Sequence, residues 1–421
     1  MAPPIKGLHP SGSYRRICGI IRRIDIAGRA LAGPYGAKSA GNVMTSNESR
    51  GATTRLVLLI AALSACVSAP ERPRAQAAAA TPQKPQPTTN SWPIRQVANP
   101  PQPYRNVDQT EAPPPALVSV IRNLGQSFRG KVGIAVRRVG ADWTVAWNGT
   151  ALFPQQSVSK LWVSMTFLDA VDRGKLRLTD TTTITRNDLT LFHQPSAALG
   201  ARDGGWTTSY SDLMRRAMTQ SDNTCNDALL RAAGGPDAVR GFLARRMIKD
   251  IRFGPGERLL QSATAGLDWR QDYSLGRNFY AARAKLPMSV RVKALDNYLA
   301  NPPDGAAPSS IVAALAKLKQ GDMLSPASTR LLLNVMSEAK TGPQRVKGGV
   351  PAGWHYLHKT GTGQDLAPRS TGYNDVGIMT APDGTSYAVA VMIGSTTVPI
   401  PERWALMQGV AKAVAANHET R

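Results

Sequence analysis

Ser157-Val158-Ser159-Lys160 places a hydroxyl and an amine three residues apart. A serine hydroxyl is a weak nucleophile until a base takes its proton. On a helix, a lysine at i+3 brings its amine to the same face as the hydroxyl. An amine held out of water near other cations loses its proton near neutral pH, so Lys160 can serve as that base. The positive end of the helix adds potential where negative charge develops. Two later triplets supply what such chemistry needs next. In Ser221-Asp222-Asn223, Ser221 offers a hydroxyl to relay a proton to a leaving nitrogen, and Asn223 an amide to hold a substrate amide. In Lys359-Thr360-Gly361, Lys359 would stand beside a substrate carboxylate and help keep Lys160 uncharged, while Thr360 and Thr362 add hydroxyls along a strand edge.

Each triplet also has a plain structural reading: a helix cap at Ser157, a turn at Ser221, a strand end at Lys359. The chain even repeats two of the patterns, as Ser337-Glu338-Ala339-Lys340 and Lys340-Thr341-Gly342. Context separates the copies. The second set lies at the end of an apolar helix, where Gly342-Pro343 acts as a stop signal. The first Ser-x-x-Lys opens a helix after Phe153-Pro154, and Lys359-Thr360-Gly361 closes a strand.

The elements that must position these groups follow from periodicity. Helical patterns cover 116–128, 157–173 (stopped at Gly174), 211–218, 226–233, 238–247, 309–319, 327–339 and 402–415. Strand patterns cover 131–136 and 143–147, joined at Gly140, and then 354–359, 375–379 and 387–393, with Pro382-Asp383-Gly384 as a turn. Early strands, a helical middle and late strands predict one α+β domain whose sheet is completed by both ends of the domain. Residues 266–306 break the rhythm and carry Trp269, Tyr273, Phe279 and Tyr280; they read as an insertion packed on the body.

Upstream, Arg50 and Arg55 precede the apolar run Leu56–Ala65 and Cys66. A basic flank, a short apolar core and small residues describe a secretory signal. The run is too short to cross a bilayer, which takes about 20 apolar residues. Leu63-Ser64-Ala65-Cys66 resembles the bacterial lipobox, which would make Cys66 the lipidation site; an ordinary signal peptide with a chance cysteine is the competing reading. Met44 is the natural start for this signal, and Val67 after the cysteine favours an outer-membrane anchor in the periplasm. Residues 67–115, rich in Pro, Ala, Gln and Thr, cannot bury enough apolar area to offset chain entropy and read as a disordered tether.

The net charge of +23 suits an anionic partner, and no nucleic-acid motif accompanies it, so an envelope setting is favoured. Cys18, Cys66 and Cys225 make no disulfide framework, and Cys225 reads as a buried, inert thiol. The five histidines show no zinc-ligand spacing, and no metal or cofactor is expected.

Taken in order, the three triplets match the signature of penicillin-recognising serine hydrolases, and residues 116–418 resemble a class A β-lactamase. Phe153-Pro154-Gln155-Gln156-Ser157 is similar to that family's lead-in to its nucleophile. Asn187-Asp188-Leu189 resembles the segment before its gatekeeper aromatic, which would be Phe192. Asn374-Asp375-Val376-Gly377 resembles a strand of one family branch. The resemblance implies a β-lactamase/transpeptidase-like α+β fold, an antiparallel sheet flanked by helices with an all-helical subdomain. It also implies an oxyanion hole from the backbone amides of Ser157 and Thr362, and a deacylating glutamate on a loop at Glu257, in Glu257-Arg258-Leu259-Leu260-Gln261, with Gln261 where the family has Asn. Tyr373 stands where many members carry an arginine for the substrate carboxylate, which leaves Arg369 as a stand-in. The implied substrate is a β-lactam or a peptidoglycan-derived small molecule, taken by a monomer that meets membrane only through its lipid. A D,D-peptidase or envelope esterase of the same fold, and a non-catalytic envelope lipoprotein, are the competing functions.

Overall fold

The computed structural model describes residues 112–418. The signal segment, Cys66 and residues 67–111 of the tether lie outside the described residues. Helix α1 (Pro115–Ser127) precedes a hairpin of β1 (Gly130–Arg138) and β2 (Val145–Trp147). A two-residue strand β3 (Phe153–Pro154) and a 3-10 turn (Gln156–Ser159) lead into α2 (Lys160–Asp172). β4 (Thr181–Ile184), the short α3 (Ala197–Gly200) and β5 (Trp206–Ser209) come next, followed by α4 (Tyr210–Thr219), α5 (Asn223–Ala232) and α6 (Gly235–Arg245). α7 (Glu257–Thr264), α8 (Asn278–Lys285), α9 (Met288–Ala300), β6 (Gly305–Ala306), α10 (Pro308–Gln320) and α11 (Pro326–Ser337) continue the domain. It closes with β7 (His355–Gly361), β8 (Ser370–Thr380), β9 (Ser386–Thr396) and α12 (Ile400–Ala416).

The main sheet has the order β2-β1-β9-β8-β7, antiparallel throughout, and β1 pairs with β9 so that Ile134 faces Val391. The two ends of the domain therefore complete one sheet, as the strand patterns predict. Side-chain alternation divides its faces. Val132, Ile134 and Val136 of β1 and Val389, Val391 and Ile393 of β9 pack with α1 and α12. Ala135, Ala388, Ala390 and Met392 pack on the other face with α2 and α10. Small residues on that face let the helices come close: a Cβ at Gly133 would collide with Phe153 and Pro308.

Helix α2 is buried from Lys160 to Ala170. Its apolar residues are spread around the helix rather than along one stripe, and such a helix must be enclosed. α2 therefore forms the centre of the helical half, and its first residue is the lysine of Ser-x-x-Lys.

Three local features depart from the expectations. Ser157 lies in the 3-10 turn, three residues before the α-helix begins at Lys160. Glu257, which the resemblance puts on a loop, opens α7. The pairs β3–β6 and β4–β5 were not anticipated, because strands of two to four residues are too short to show a period. Residues 266–306 are helical over α8 and α9 and carry their own apolar contacts: Tyr273 and Phe279 with Leu191, and Leu295 and Tyr298 with Leu260 and Leu366.

Candidate active site

The turn carrying Ser157 is held from several sides. Gln155 accepts from Trp162 Nε1 at 2.5 Å and donates to the carbonyls of Arg252 and Asp304. Gln156 adopts a positive φ of 53°, costly for a non-glycine residue. Its N–H donates to Asp304 Oδ2 at 2.8 Å, and its side chain bonds Tyr298 and Gln261. Burial pushes the Asp304 carboxyl up to about 6. Asn374 of β8 donates to the Pro154 and Gln155 carbonyls at 2.7 and 3.1 Å, fastening the turn to the sheet. Gly361 is needed for the same closeness, since a Cβ there would run into the Gln155 carbonyl oxygen. This contact brings the end of β7, and with it Thr362, alongside Ser157.

Lys160 Nζ lies 2.7 Å from Ser157 Oγ, 2.8 Å from Asn223 Oδ1 and 2.7 Å from Glu257 Oε1. Ser157 is part-exposed and Lys160 fully buried. Asn223, the first residue of α5, also donates to Leu191 O at 2.8 Å, so both ends of its amide are engaged. Asp222 caps α5 by accepting from Cys225 N–H, which forces the preceding Ser221 to a φ of 61°. Burial pushes the Cys225 thiol up, out of its reactive range.

Lys359 Nζ reaches Ser221 Oγ at 2.9 Å and the Thr360 carbonyl at 2.8 Å. Burial, reinforced by Lys160 and Arg345, holds Lys359 well below the ordinary lysine range, against the opposing pull of Glu257 and Asp375. Burial pushes Glu257 up, but Lys160, Gln261 and Lys359 outweigh it, and its carboxyl lies below the usual range. Gln261, one turn along α7, donates to Glu257 Oε2 at 3.2 Å from the position where the family has Asn.

Ser157, Lys160, Ser221, Asn223, Glu257, Lys359 and Gly361 thus come together. Thr360 does not join them, because strand alternation turns its hydroxyl to Thr341, 2.7 Å away. Thr362 is exposed at the strand end and accepts from Arg345 at 2.6 Å. Phe192 sits at the edge, between Leu191 O and His193 O, which both accept from Asn223. Its φ of 58° is unusual for an aromatic residue.

The guanidinium expected at Arg369 is elsewhere engaged, paired with Asp296 at 2.7 Å. Arg345 occupies the site instead. It donates to the carbonyls of Gly361 and Asn374 and lies 3.7 Å over the Tyr373 ring. Nothing in the spacing of Gly342-Pro343-Gln344-Arg345 marks it, although its nearness to the second Lys-Thr-Gly was a signal of sorts. His358 forms no catalytic triad with Ser157. It is buried against Asp375 at 2.8 Å, on the opposite side of β7 from Lys359. Among the described residues no cluster of three or more His, Cys, Asp or Glu could hold a metal ion.

An antiparallel sheet, a mainly helical half and a part-exposed serine beside a buried lysine and glutamate at their junction define a serine hydrolase of the β-lactamase type. Residues 116–418 match the family model described as "Beta-lactamase enzyme family", and the chain belongs to that family. It is 29% identical to the extended-spectrum β-lactamase PER-1 of Pseudomonas aeruginosa over 68% of this chain and 82% of that protein. To β-lactamase VEB-1 of the same organism it is 25% identical, over 66% and 81%. Among solved structures, the ancestral (GNCA) class A β-lactamase superposes with a TM-score of 0.58 at 26% identity, covering 72% of this chain and 100% of that one. The class A resemblance and the α+β fold are thereby borne out.

Proposed function

We propose that this protein hydrolyses the β-lactam amide through an acyl-enzyme on Ser157. The observation that carries this reading is the Lys160 amine, within 2.8 Å of the Ser157 hydroxyl, the Asn223 carbonyl and the Glu257 carboxylate. With its proton passed to Glu257 across 2.7 Å, Lys160 takes the proton of Ser157 as the oxygen attacks the lactam carbonyl. The amides of Ser157 and Thr362 receive the oxyanion; donors so aimed are each worth about 3 kcal/mol in the barrier. Ser221, bonded to Lys359, returns a proton to the leaving nitrogen. Lys359, Thr362 and Arg345 bind the substrate carboxylate. The proton Lys160 took from Ser157 replaces the one Ser221 gave up, Glu257 returns its own proton to Lys160, and the ionised Glu257, held by Gln261, then activates the water that cleaves the ester. Asn223, with both ends of its amide engaged, orients Lys160.

Cleavage of a chromogenic cephalosporin by the purified protein, lost in Ser157→Ala, tests this. Turnover of D-alanyl-D-alanine peptides or simple esters without lactam cleavage would move the assignment to a peptidase or esterase. Failure of Ser157 to take a fluorescent penicillin would leave an envelope protein without chemistry. The signal pattern further supports a periplasmic lipoprotein acylated at Cys66; labelling with a radioactive fatty acid, abolished by Cys66→Ala, is its test.

A further inference from the structure

The 3-10 turn Gln271–Ser274 and the helices α8 and α9 that follow it tie together the two walls that flank Ser157. On one side, Gln271 donates to the Arg186 and Leu189 carbonyls, and Gln194 donates to Ser274 O at 2.9 Å. Phe279 packs edge-on to Phe192 at 5.0 Å between ring centres, and Tyr280 does so at 6.0 Å. On the other side, one helical turn along α8, Arg283 donates to Asp365 O at 2.9 Å. Leu295 of α9 meets Leu366, and Asp296 pairs with Arg369. The segment is thus fixed at both ends of the cleft.

Chemistry sets the direction in which a substrate must run. The carboxylate half lies towards Lys359 and Arg345, with the leaving nitrogen near Ser221. The acyl half must point the opposite way, past Asn223 and Glu257 towards Phe192. There Phe279 is buried, whereas Tyr280 is 47% exposed even with Arg277 5.8 Å from its ring. A half-open aromatic ring, backed by a buried one and next to a strained aromatic, is a surface for another ring.

We propose that Tyr280, supplied by α8, is a specificity-determining residue that takes an aromatic ring on the acyl side chain of the substrate, extending the wall at Phe192 that the resemblance already marks. This rests on the hydrolase reading above for the orientation of the substrate. The test compares benzylpenicillin, which carries such a ring, with 6-aminopenicillanic acid, which lacks it. The ratio of their kcat/KM values is expected to fall about tenfold in Tyr280→Ala and to be largely kept in Tyr280→Phe. A partly unfolded preparation lowers both substrates alike and leaves the ratio unmoved. An unchanged ratio in Tyr280→Ala, with both compounds still cleaved, overturns the subsite while the hydrolase reading stands. If neither compound is cleaved by the parent protein, the hydrolase reading fails, and dissociation constants of the same pair on Ser157→Ala decide the subsite. Tighter binding of benzylpenicillin that disappears in Ser157→Ala/Tyr280→Ala supports it; equal binding, or none, overturns it.

Discussion

Ser157–Lys160 with Lys359–Gly361, and Ser337–Lys340 with Lys340–Gly342, place the same residue types at the same spacing in two regions of the molecule. In the first, both lysines are fully buried and each nitrogen meets a serine hydroxyl. In the second, Ser337 returns its hydroxyl to Asn334 O at the exposed end of α11, and Lys340 is exposed. What differs is burial: the first pair sits where a buried helix meets a sheet edge. The second region has a structural part, since Thr341 holds Thr360 and Gly342 lies close against it.

The contrast can be broken by mutation. Ser157→Ala should lower β-lactam turnover by at least about 10³-fold, and Ser337→Ala should leave it within experimental error, as measured by initial rates on a chromogenic cephalosporin. Glu257→Gln should slow deacylation by about 10²–10⁴-fold, seen as a burst followed by near-arrest in stopped flow; steady turnover would show that another group activates the water. Gly361→Ala should reduce kcat and destabilise the fold by about 1–3 kcal/mol, because the added methyl strikes the Gln155 carbonyl. Unfolding in urea measures the second effect, and an unchanged midpoint would mean that the strand end yields easily.

A finer distinction comes from pH. In the proposed mechanism Lys359 binds the substrate carboxylate only as a cation, and its charge is lost as pH rises through a pKa held well below 10.5. KM should therefore climb on the alkaline side well before an ordinary lysine titrates, and Lys359→Arg should move that limb upward, since guanidinium keeps its proton. Glu257 must be ionised to activate water, and its carboxyl lies below 4.5. The acid limb of kcat should accordingly fall below the ordinary glutamate range. Lys340→Ala should shift neither limb.

Much of this site can be read from order alone: Ser157, Lys160, Ser221 and Lys359 come from helix and strand ends whose patterns are long enough to recognise, whereas Glu257 comes only from the family resemblance. Gln261 comes from the resemblance too, and only the structure shows the helix α7 that brings it to Glu257 at i+4. Arg345 and Asp304 were not legible. Arg345 reaches the site through a loop with no period, and Asp304 steadies Gln156 across 148 residues of chain. Contacts of that kind are fixed by tertiary packing. The strain at Gln156, Phe192 and Ser221 is equally invisible in sequence, since none of these residue types announces a positive φ.

Mass spectrometry of Glu257→Gln after brief exposure to benzylpenicillin tests the acyl-enzyme most directly. The predicted result is one intact penicilloyl group on the peptide that contains Ser157 and none on the peptide that contains Ser337. Continued turnover with no adduct, or an adduct that survives in Ser157→Ala, would contradict it.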